Sequence, residues 1–137
     1  MIDIAKKNHP SCYDQLLVND VEIAMDKLTS HWKQEIDLVI SCDVFVYIGN
    51  LKIVFESVQK HLVSGYFAFS TELLDENEED SGRGYMLQSS GRFAHKKSYL
   101  EKLATAIGFH VEVIKICPIR KNAGRDVIGI LMVLSLS

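Results

Sequence analysis

The chain has 137 residues, of which 47% are hydrophobic and 24% are charged, a balance typical of one globular domain and too apolar for disorder. Its formal net charge of −3 does not indicate a nucleic-acid-binding surface, because such surfaces are usually basic. The three cysteines show no CxxC spacing and the five histidines no HxxxH spacing, so no metal site is predicted. No apolar run approaches the roughly 20 residues of a membrane span, and no signal peptide is evident. These features favour a cytoplasmic protein with free thiols.

Apolar periodicity predicts helices and strands that alternate along the chain. The predicted helices cover residues 2–7, 21–28, 51–62 and 98–107, and the predicted strands cover residues 15–19, 37–42, 66–71, 111–116 and 127–136. Asp20 and Asn50 precede two of the helices as possible N-caps. Ser98 and Glu101 have the spacing of a capping box, and Gly108 suits a C-terminal cap.

Two polar stretches punctuate this pattern. Residues 75–84 are acidic and predict a solvated loop, and residues 121–126 predict a turn around Gly124. The last two strands lack a helix between them, so they are expected to pair antiparallel. The order of elements predicts an α/β fold: a mostly parallel sheet with helices on both faces, closed by a C-terminal antiparallel hairpin.

Five segments narrow the α/β class: residues 37–51, 90–95, 98–103, 120–125 and 129–134. Together they resemble class I S-adenosylmethionine-dependent methyltransferases, and in particular a subfamily of predicted methyltransferases in which the domain often follows tetratricopeptide repeats. The resemblance implies a Rossmann-like sheet, S-adenosylmethionine as cofactor, and transfer of a methyl group to an acceptor that the sequence does not identify.

One part of the family pattern is missing. In that superfamily a glycine-rich turn after the first strand and an acidic residue after the second hold the cofactor, because glycine lets the backbone approach a ligand closely. No GxGxxG turn occurs in these 137 residues. The resemblance therefore implies that residues 1–137 are the C-terminal two-thirds of a methyltransferase domain without its first two strands, with Met1 an internal methionine of a truncated product.

The resemblance also assigns cofactor-binding positions. Asp20 and Val21 match the acidic and apolar pair around the adenine ring, although Asp20 is equally well explained as a helix N-cap. Ser41, Cys42 and Asp43 follow the central strand, at the sheet edge where open α/β folds bind ligands and where the family contacts the methionine part of the cofactor. Cys42 is alternatively a small buried thiol, whereas a carboxylate such as Asp43 needs partners after a buried strand.

Arg92 and His95 match a segment that contacts substrate in the family, and Tyr47 is a further candidate substrate-binding residue. His95 is the candidate general base, because the ordinary pKa of histidine lies near physiological pH. The alternative is a structural histidine before a helix. Tyr47 and Tyr85 are candidates to line a pocket or simply to pack.

Two other functions compete with the methyltransferase. The chain is alternatively a non-catalytic α/β interaction module, since the missing strands would uncover the apolar edge and faces of the strand at residues 38–41. Such a surface favours association, so a chain of this form is expected to be a homo-oligomer, to depend on a partner, or to be unstable. A different nucleotide-binding α/β enzyme is a weaker alternative, which the closing antiparallel hairpin disfavours.

Overall fold

The structure is a computed structural model that describes residues 2–31 and 36–137, with side chains described for all of these except 29–31. Trp32, which the sequence predicts to pack against or cap a helix end, lies outside the described residues. The chain divides into two compact units, Met1–Gln34 and Glu35–Ser137.

The first unit contains two helices, α1 (Ile2–Asn8) and α2 (Val21–His31). Helix α2 begins directly after Asp20, whose carbonyl accepts a 2.9 Å bond from the Ala24 amide, and Met25 is buried as its 3,4-spacing predicts. The strand predicted at residues 15–19 is wrong, because these residues adopt no regular structure and Val18 is 79% exposed. A strand needs a hydrogen-bonding partner, and the described residues of this unit supply none.

The second unit contains a sheet, two helices and one turn of 3-10 helix. Its elements in chain order are β1 (Ile36–Ser41), a 3-10 turn (Phe45–Tyr47), α3 (Lys52–His61), β2 (Leu62–Leu74), β3 (Tyr85–Leu87), β4 (Phe93–Lys96), α4 (Lys97–Ile107), β5 (His110–Asn122) and β6 (Arg125–Leu136). The short strands β3 and β4 were not predicted from the sequence.

Strand β2 lies at the centre of the six-stranded sheet that these residues form. On one flank it pairs in parallel first with β1 and then, further along, with β4. On the other flank it pairs antiparallel with β6, which in turn pairs antiparallel with β5. Strand β3 adds to β4 at the far edge. The predicted α/β class and the closing antiparallel hairpin are therefore confirmed, in a sheet of mixed direction.

One face of this sheet carries the core. Phe67 and Phe69 of β2 are almost fully buried, and Phe55 of α3 contacts both rings at centroid distances of 5.3 and 5.4 Å. The apolar stripe predicted for α3 is confirmed, since all five of its residues are at most 2% exposed: Leu51, Val54, Phe55, Val58 and Leu62. Helix α4 packs on the same face, because its Tyr99 stacks on His95, which in turn bonds Thr71 of β2.

The opposite face of the sheet is open among residues 36–137. Leu38 and Ile40 of β1 are 52% and 64% exposed, and Tyr66 of β2 is 53% exposed beside them. The two helices of this unit, α3 and α4, both lie on the Phe67 side. We call these the covered face and the open face.

Helix α4 begins differently from the sequence prediction. Its N-cap is Lys96, which makes no side-chain capping bond, so the predicted Ser98–Glu101 capping box does not form. Instead Glu76 of the acidic loop accepts bonds from the Ser98 amide (2.9 Å) and hydroxyl (2.5 Å). These bonds lower the pKa of Glu76. The acidic loop therefore caps a helix that lies some 20 residues further along the chain.

The two predicted turn glycines are confirmed. Gly108 follows α4 with φ 97°, in the left-handed conformation of a helix C-cap. Ala123 and Gly124 join β5 to β6 with φ 48° and 77°, and two successive positive φ values match a tight type I′ hairpin.

Candidate functional site

The candidate site lies where β1 ends and β4 has not yet begun along the same flank of β2. Ser41, the last residue of β1, is paired with Phe69, whereas Ala94 of β4 is paired with Glu72. The intervening Ser70 accepts a 3.3 Å hydrogen bond at Oγ from the Asp43 amide. The chain leaving β1 is thereby fastened to β2 at the carboxyl end of β1, and open α/β sheets bind ligands at the carboxyl ends of their strands.

Three residues predicted for the site meet here: Asp43, Tyr47 and Arg92. Arg92 Nη1 donates to Asp43 Oδ1 at 3.0 Å, and its guanidinium carbon lies 5.3 Å from the centre of the Tyr47 ring. Asp43 is 54% exposed in its side chain and Tyr47 is 61% exposed, so both remain accessible to a ligand. An exposed ion pair of this kind contributes at most about 1 kcal/mol to folding, so stability is a weak reason for its presence.

The backbone at Asp43 supports a functional interpretation. Asp43 has φ 55°, a left-handed conformation that aspartate tolerates better than most residues but that is uncommon outside glycine. Such conformations cluster at binding sites, where they direct a side chain that a regular strand would point elsewhere. The expectation that Asp43 needs a partner is met by Arg92.

Ser41 and Cys42 adjoin this cluster. Ser41 is half-buried as the last residue of β1, and Cys42 is an exposed free thiol. The alternative interpretation of Cys42 as a small buried thiol is therefore wrong. Both residues lie at the carboxyl end of β1, as the sequence predicted.

His95 lies next to the site but is inaccessible from solvent. It is fully buried, with Nδ1 2.6 Å from Thr71 Oγ1 and Nε2 2.9 Å from the Gly49 carbonyl oxygen. Burial lowers its pKa from 6.5 to about 4, against the opposing effect of the Gly49 and Ile48 carbonyls. With both ring nitrogens bonded inside the protein, the ring cannot receive a proton from a substrate in this conformation, and the structural alternative describes its surroundings.

Tyr99 makes a second contact to the same loop. Its hydroxyl accepts a 3.0 Å bond from the Leu51 amide and lies 3.5 Å from Asn50 Oδ1. Its ring stacks on that of His95 and contacts Tyr85, which packs inside this cluster. Burial raises the pKa of Tyr99, so the hydroxyl stays neutral.

A second arginine–carboxylate pair lies two residues beyond Ser70 on β2. Glu72, 9% exposed in its side chain, accepts a 2.5 Å bond from Arg120 Nη2 of the closing hairpin. Glu72 and Ser70 alternate with the buried Phe69 and Thr71, so they belong to the open face. This pair ties the hairpin to the carboxyl end of β2.

Several of these residues were missed from the sequence: Ser70, Glu72, Gly49, Thr71 and Tyr99 in its bonding role. A polar residue inside an apolar strand, such as Ser70 in Tyr66–Thr71, was the available signal, since buried polar groups require partners. Asp20 and Val21 belong to the first unit, so the structure does not relate them to Asp43.

No group of three His, Cys, Asp or Glu side chains suited to a metal ion occurs among the described residues. None of the helices in the described part of the chain is long and apolar enough to cross a membrane.

Comparison with known proteins identifies the fold. No family model and no curated protein matches the sequence. A solved S-adenosylmethionine-dependent methyltransferase from Clostridium acetobutylicum matches 98% of this chain and 70% of its own, with TM-score 0.65 and 17% identity. Magnesium protoporphyrin IX methyltransferase from Synechocystis, solved with bound S-adenosylmethionine, matches 99% of this chain and 52% of its own, with TM-score 0.60 and 11% identity.

A methyltransferase from Methanosarcina mazei gives TM-score 0.57 at 12% identity over 74% of this chain. The chain spans 59% of the length of that protein and 52% of the Synechocystis enzyme. These matches show that the chain has the class I methyltransferase fold.

Proposed function

We propose that this chain is a methyltransferase-like domain that binds S-adenosylmethionine and transfers its methyl group to an acceptor not yet identified. The fold allows many activities, so the proposal rests on the site. The observation that carries it is the exposed cluster of Asp43, Tyr47 and Arg92 at the carboxyl end of β1, with Asp43 held in a left-handed conformation.

The residues present suit one half of the cofactor. S-adenosylmethionine supplies an already activated methyl group and carries an amino acid moiety with an ammonium and a carboxylate. The Asp43 carboxylate is suited to accept bonds from an ammonium, the Arg92 guanidinium to bind a carboxylate, and the exposed Tyr47 ring to pack on an apolar group. The half that holds the adenosine requires a glycine-rich turn, which these 137 residues lack, so we propose weaker binding than in a complete site.

The role of this chain in the proposed reaction is to align the reactants. Methyl transfer from an activated donor gains most from holding the two reactants in line at short distance. In the proposed mechanism Asp43, Tyr47 and Arg92 fix the donor, while the accessible Cys42 side chain beside them borders the space for the acceptor. A general base is unnecessary for an acceptor that is already nucleophilic, which agrees with the enclosed position of His95.

Calorimetric titration of S-adenosylhomocysteine into the 137-residue chain tests this proposal. We expect wild type to bind, and Asp43→Asn to weaken binding roughly tenfold because one charge-assisted contact is lost. Asp126→Asn is a matched control, since Asp126 is 51% exposed in its side chain and paired with Lys121, as Asp43 is 54% exposed and paired with Arg92. A folded wild-type chain that binds nothing, or equal losses in both variants, would contradict the proposal.

The open face favours a second candidate, a non-catalytic interaction module derived from the same fold. Exposed Leu38, Ile40 and Tyr66 form a contiguous apolar surface across two paired strands, and such surfaces often mark association sites. Self-association through this face stays a prediction. Substitutions distinguish the two candidates. A change on the open face should impair the interaction module, whereas a change of Asp43 should impair the enzyme.

A further inference from the structure

The loop that carries the candidate site is held from its inner side by two aromatic residues. This loop, residues 42–51, exposes Asp43 and Tyr47 and buries Phe45 and Val46. At its far end His95 Nε2 bonds the Gly49 carbonyl and the Tyr99 hydroxyl bonds the Leu51 amide. Neither His95 nor Tyr99 bonds the charged groups of Asp43 or Arg92, but both bond the backbone of the loop.

The protonation of His95 follows from its partners. A carbonyl oxygen can only accept, so Nε2 must carry the hydrogen that faces Gly49. In the neutral ring Nδ1 is then an acceptor, and the Thr71 hydroxyl donates to it across 2.6 Å. Thr71 is itself fully buried in the central strand. His95 thus links the loop to β2 through one defined tautomer.

The loop is stiff between this anchor and the cluster. The Tyr47 amide donates to the Val44 carbonyl and the Ile48 amide to the Phe45 carbonyl, both at 3.1 Å, which closes one helical turn. A side chain at Gly49 would have its Cβ 2.7 Å from the Tyr85 ring and 2.8 Å from the Phe93 ring, so the backbone is seated directly on these rings. We therefore expect a shift of the Gly49 backbone to move Tyr47 as well, because the hydrogen-bonded turn connects the two residues.

We propose that His95 and Tyr99 are positioning residues, which hold residues 42–51 through Gly49 and Leu51 so that Asp43 and Tyr47 face the cofactor. The inference rests on the proposed function for what the loop binds. It assigns to His95 a role that needs no contact with either reactant: the ring acts through the loop backbone, by a bond that fixes one carbonyl group.

Two substitutions separate the bonds of His95. The amide nitrogen of glutamine reaches the position of Nε2, so His95→Gln keeps the donor to Gly49. The amide of asparagine reaches only the position of Nδ1, so His95→Asn keeps the contact to Thr71 and leaves the Gly49 carbonyl unpaired. Leu134→Val removes a methylene from the covered face, in β6 opposite Phe67, and controls for general loosening of the core.

Two measurements are made on the full chain: the exchange of the Ile48 and Leu51 amide hydrogens by NMR, and titration of S-adenosylhomocysteine. We expect His95→Asn to speed exchange at both amides and to weaken binding by about tenfold, while His95→Gln stays within about twofold of wild type. Tyr99→Phe should speed exchange at Leu51, since its acceptor is removed. Leu134→Val should change neither quantity beyond about twofold.

Unchanged amide exchange in His95→Asn, equal losses in the Gln and Asn variants, or an equal loss in Leu134→Val overturns the inference. If wild type binds no S-adenosylhomocysteine, the proposed function fails. Faster exchange in His95→Asn alone would in that case still support the anchoring of the loop, because amide exchange is measured without a ligand.

Discussion

The two faces of the sheet differ although the same strands build both. Phe67 is fully buried on the covered face, and its neighbour Tyr66 is 53% exposed on the open face. Strand side chains alternate between faces, so the contrast is set residue by residue along β2. Helices α3 and α4 give the covered face a packed apolar partner, and with it the anchors of the candidate site. The open face has apolar residues of similar kind and no such partner among residues 36–137. Stability should therefore depend mainly on the covered face.

The largest expected effect tests this asymmetry directly at adjacent residues. Phe67→Ala should lower the free energy of unfolding by about 3–5 kcal/mol, because it leaves a cavity among Phe45, Phe55 and Phe69. Tyr66→Ala should lower it by about 1 kcal/mol or less, because half of the side chain is already in water. Urea unfolding of both variants measures the difference. A cost for Tyr66→Ala that equals that of Phe67→Ala would mean that the open face is packed in solution, and the comparison would fail.

The next effect concerns the buried polar residue of the covered face. The pKa of His95 is lowered from 6.5 to about 4 by burial, so the unfolded chain binds a proton at a pH where the folded chain does not. The stabilisation from keeping this ring neutral is present above about pH 6.5 and is lost as the pH falls towards 4. The expected loss is about 3 kcal/mol over that window, with no further loss from this group below it.

Urea unfolding between pH 7 and pH 5 measures this slope before most carboxylates protonate. Burial raises the pKa of the neighbouring Tyr99, and the pKa values of Glu76 and Asp80 are lowered, so these three groups titrate outside this range. His95→Gln should flatten the slope. A slope that is the same in the Gln variant would assign the pH dependence to another group.

A smaller effect tests how the helix covering this face is fixed. Glu76→Gln should lower the free energy of unfolding by about 1 kcal/mol, because its carboxylate caps α4 through two bonds from Ser98. Glu79→Gln, an exposed glutamate of the same loop, should change it by less than about 0.5 kcal/mol. Thermal unfolding of both variants makes the comparison, and equal shifts would show that the acidic loop stabilises the helix only through its general charge.

The sequence was most informative where local periodicity decides the structure. The stripe from Leu51 to Leu62 predicted α3 and its buried side, because 3.6-residue spacing is a local property. It was misleading where distant residues compete with a local pattern. Ser98 and Glu101 have capping-box spacing, in which the Glu101 side chain would accept from the Ser98 amide. In the structure that amide donates to Glu76 of the acidic loop instead. Strands β3 (three residues) and β4 (four residues) are too short to show a pattern in the sequence, and β4 is held by its parallel pairing with β2.

The site shows the same division. Asp43 and Tyr47 were predicted from one segment and Arg92 from another, and the parallel pairing of both β1 and β4 with β2 brings them together. The surroundings of His95 could not be predicted, because its burial depends on Thr71, Gly49 and Tyr99, which lie up to 46 residues away. A histidine at position 95 suggested a general base from its residue type alone. Only the hydrogen-bond partners of its two ring nitrogens indicate that it anchors the loop of residues 42–51.

Substitutions on the open face are expected to have the smallest effect on stability. They are expected to change self-association instead. Ile40→Lys should change the free energy of unfolding by about 0.5 kcal/mol or less, because Ile40 is 64% exposed. Ile53→Lys is the matched control, since Ile53 is 60% exposed on α3, outside the sheet. If the chain self-associates through the open face, sedimentation velocity over a concentration series should shift towards the monomer for Ile40→Lys and stay at wild type for Ile53→Lys, because a lysine there places a charge in the apolar contact. Wild type that sediments as a monomer at every concentration would contradict self-association. Equal shifts in both variants would mean that net charge, and not this face, controls association.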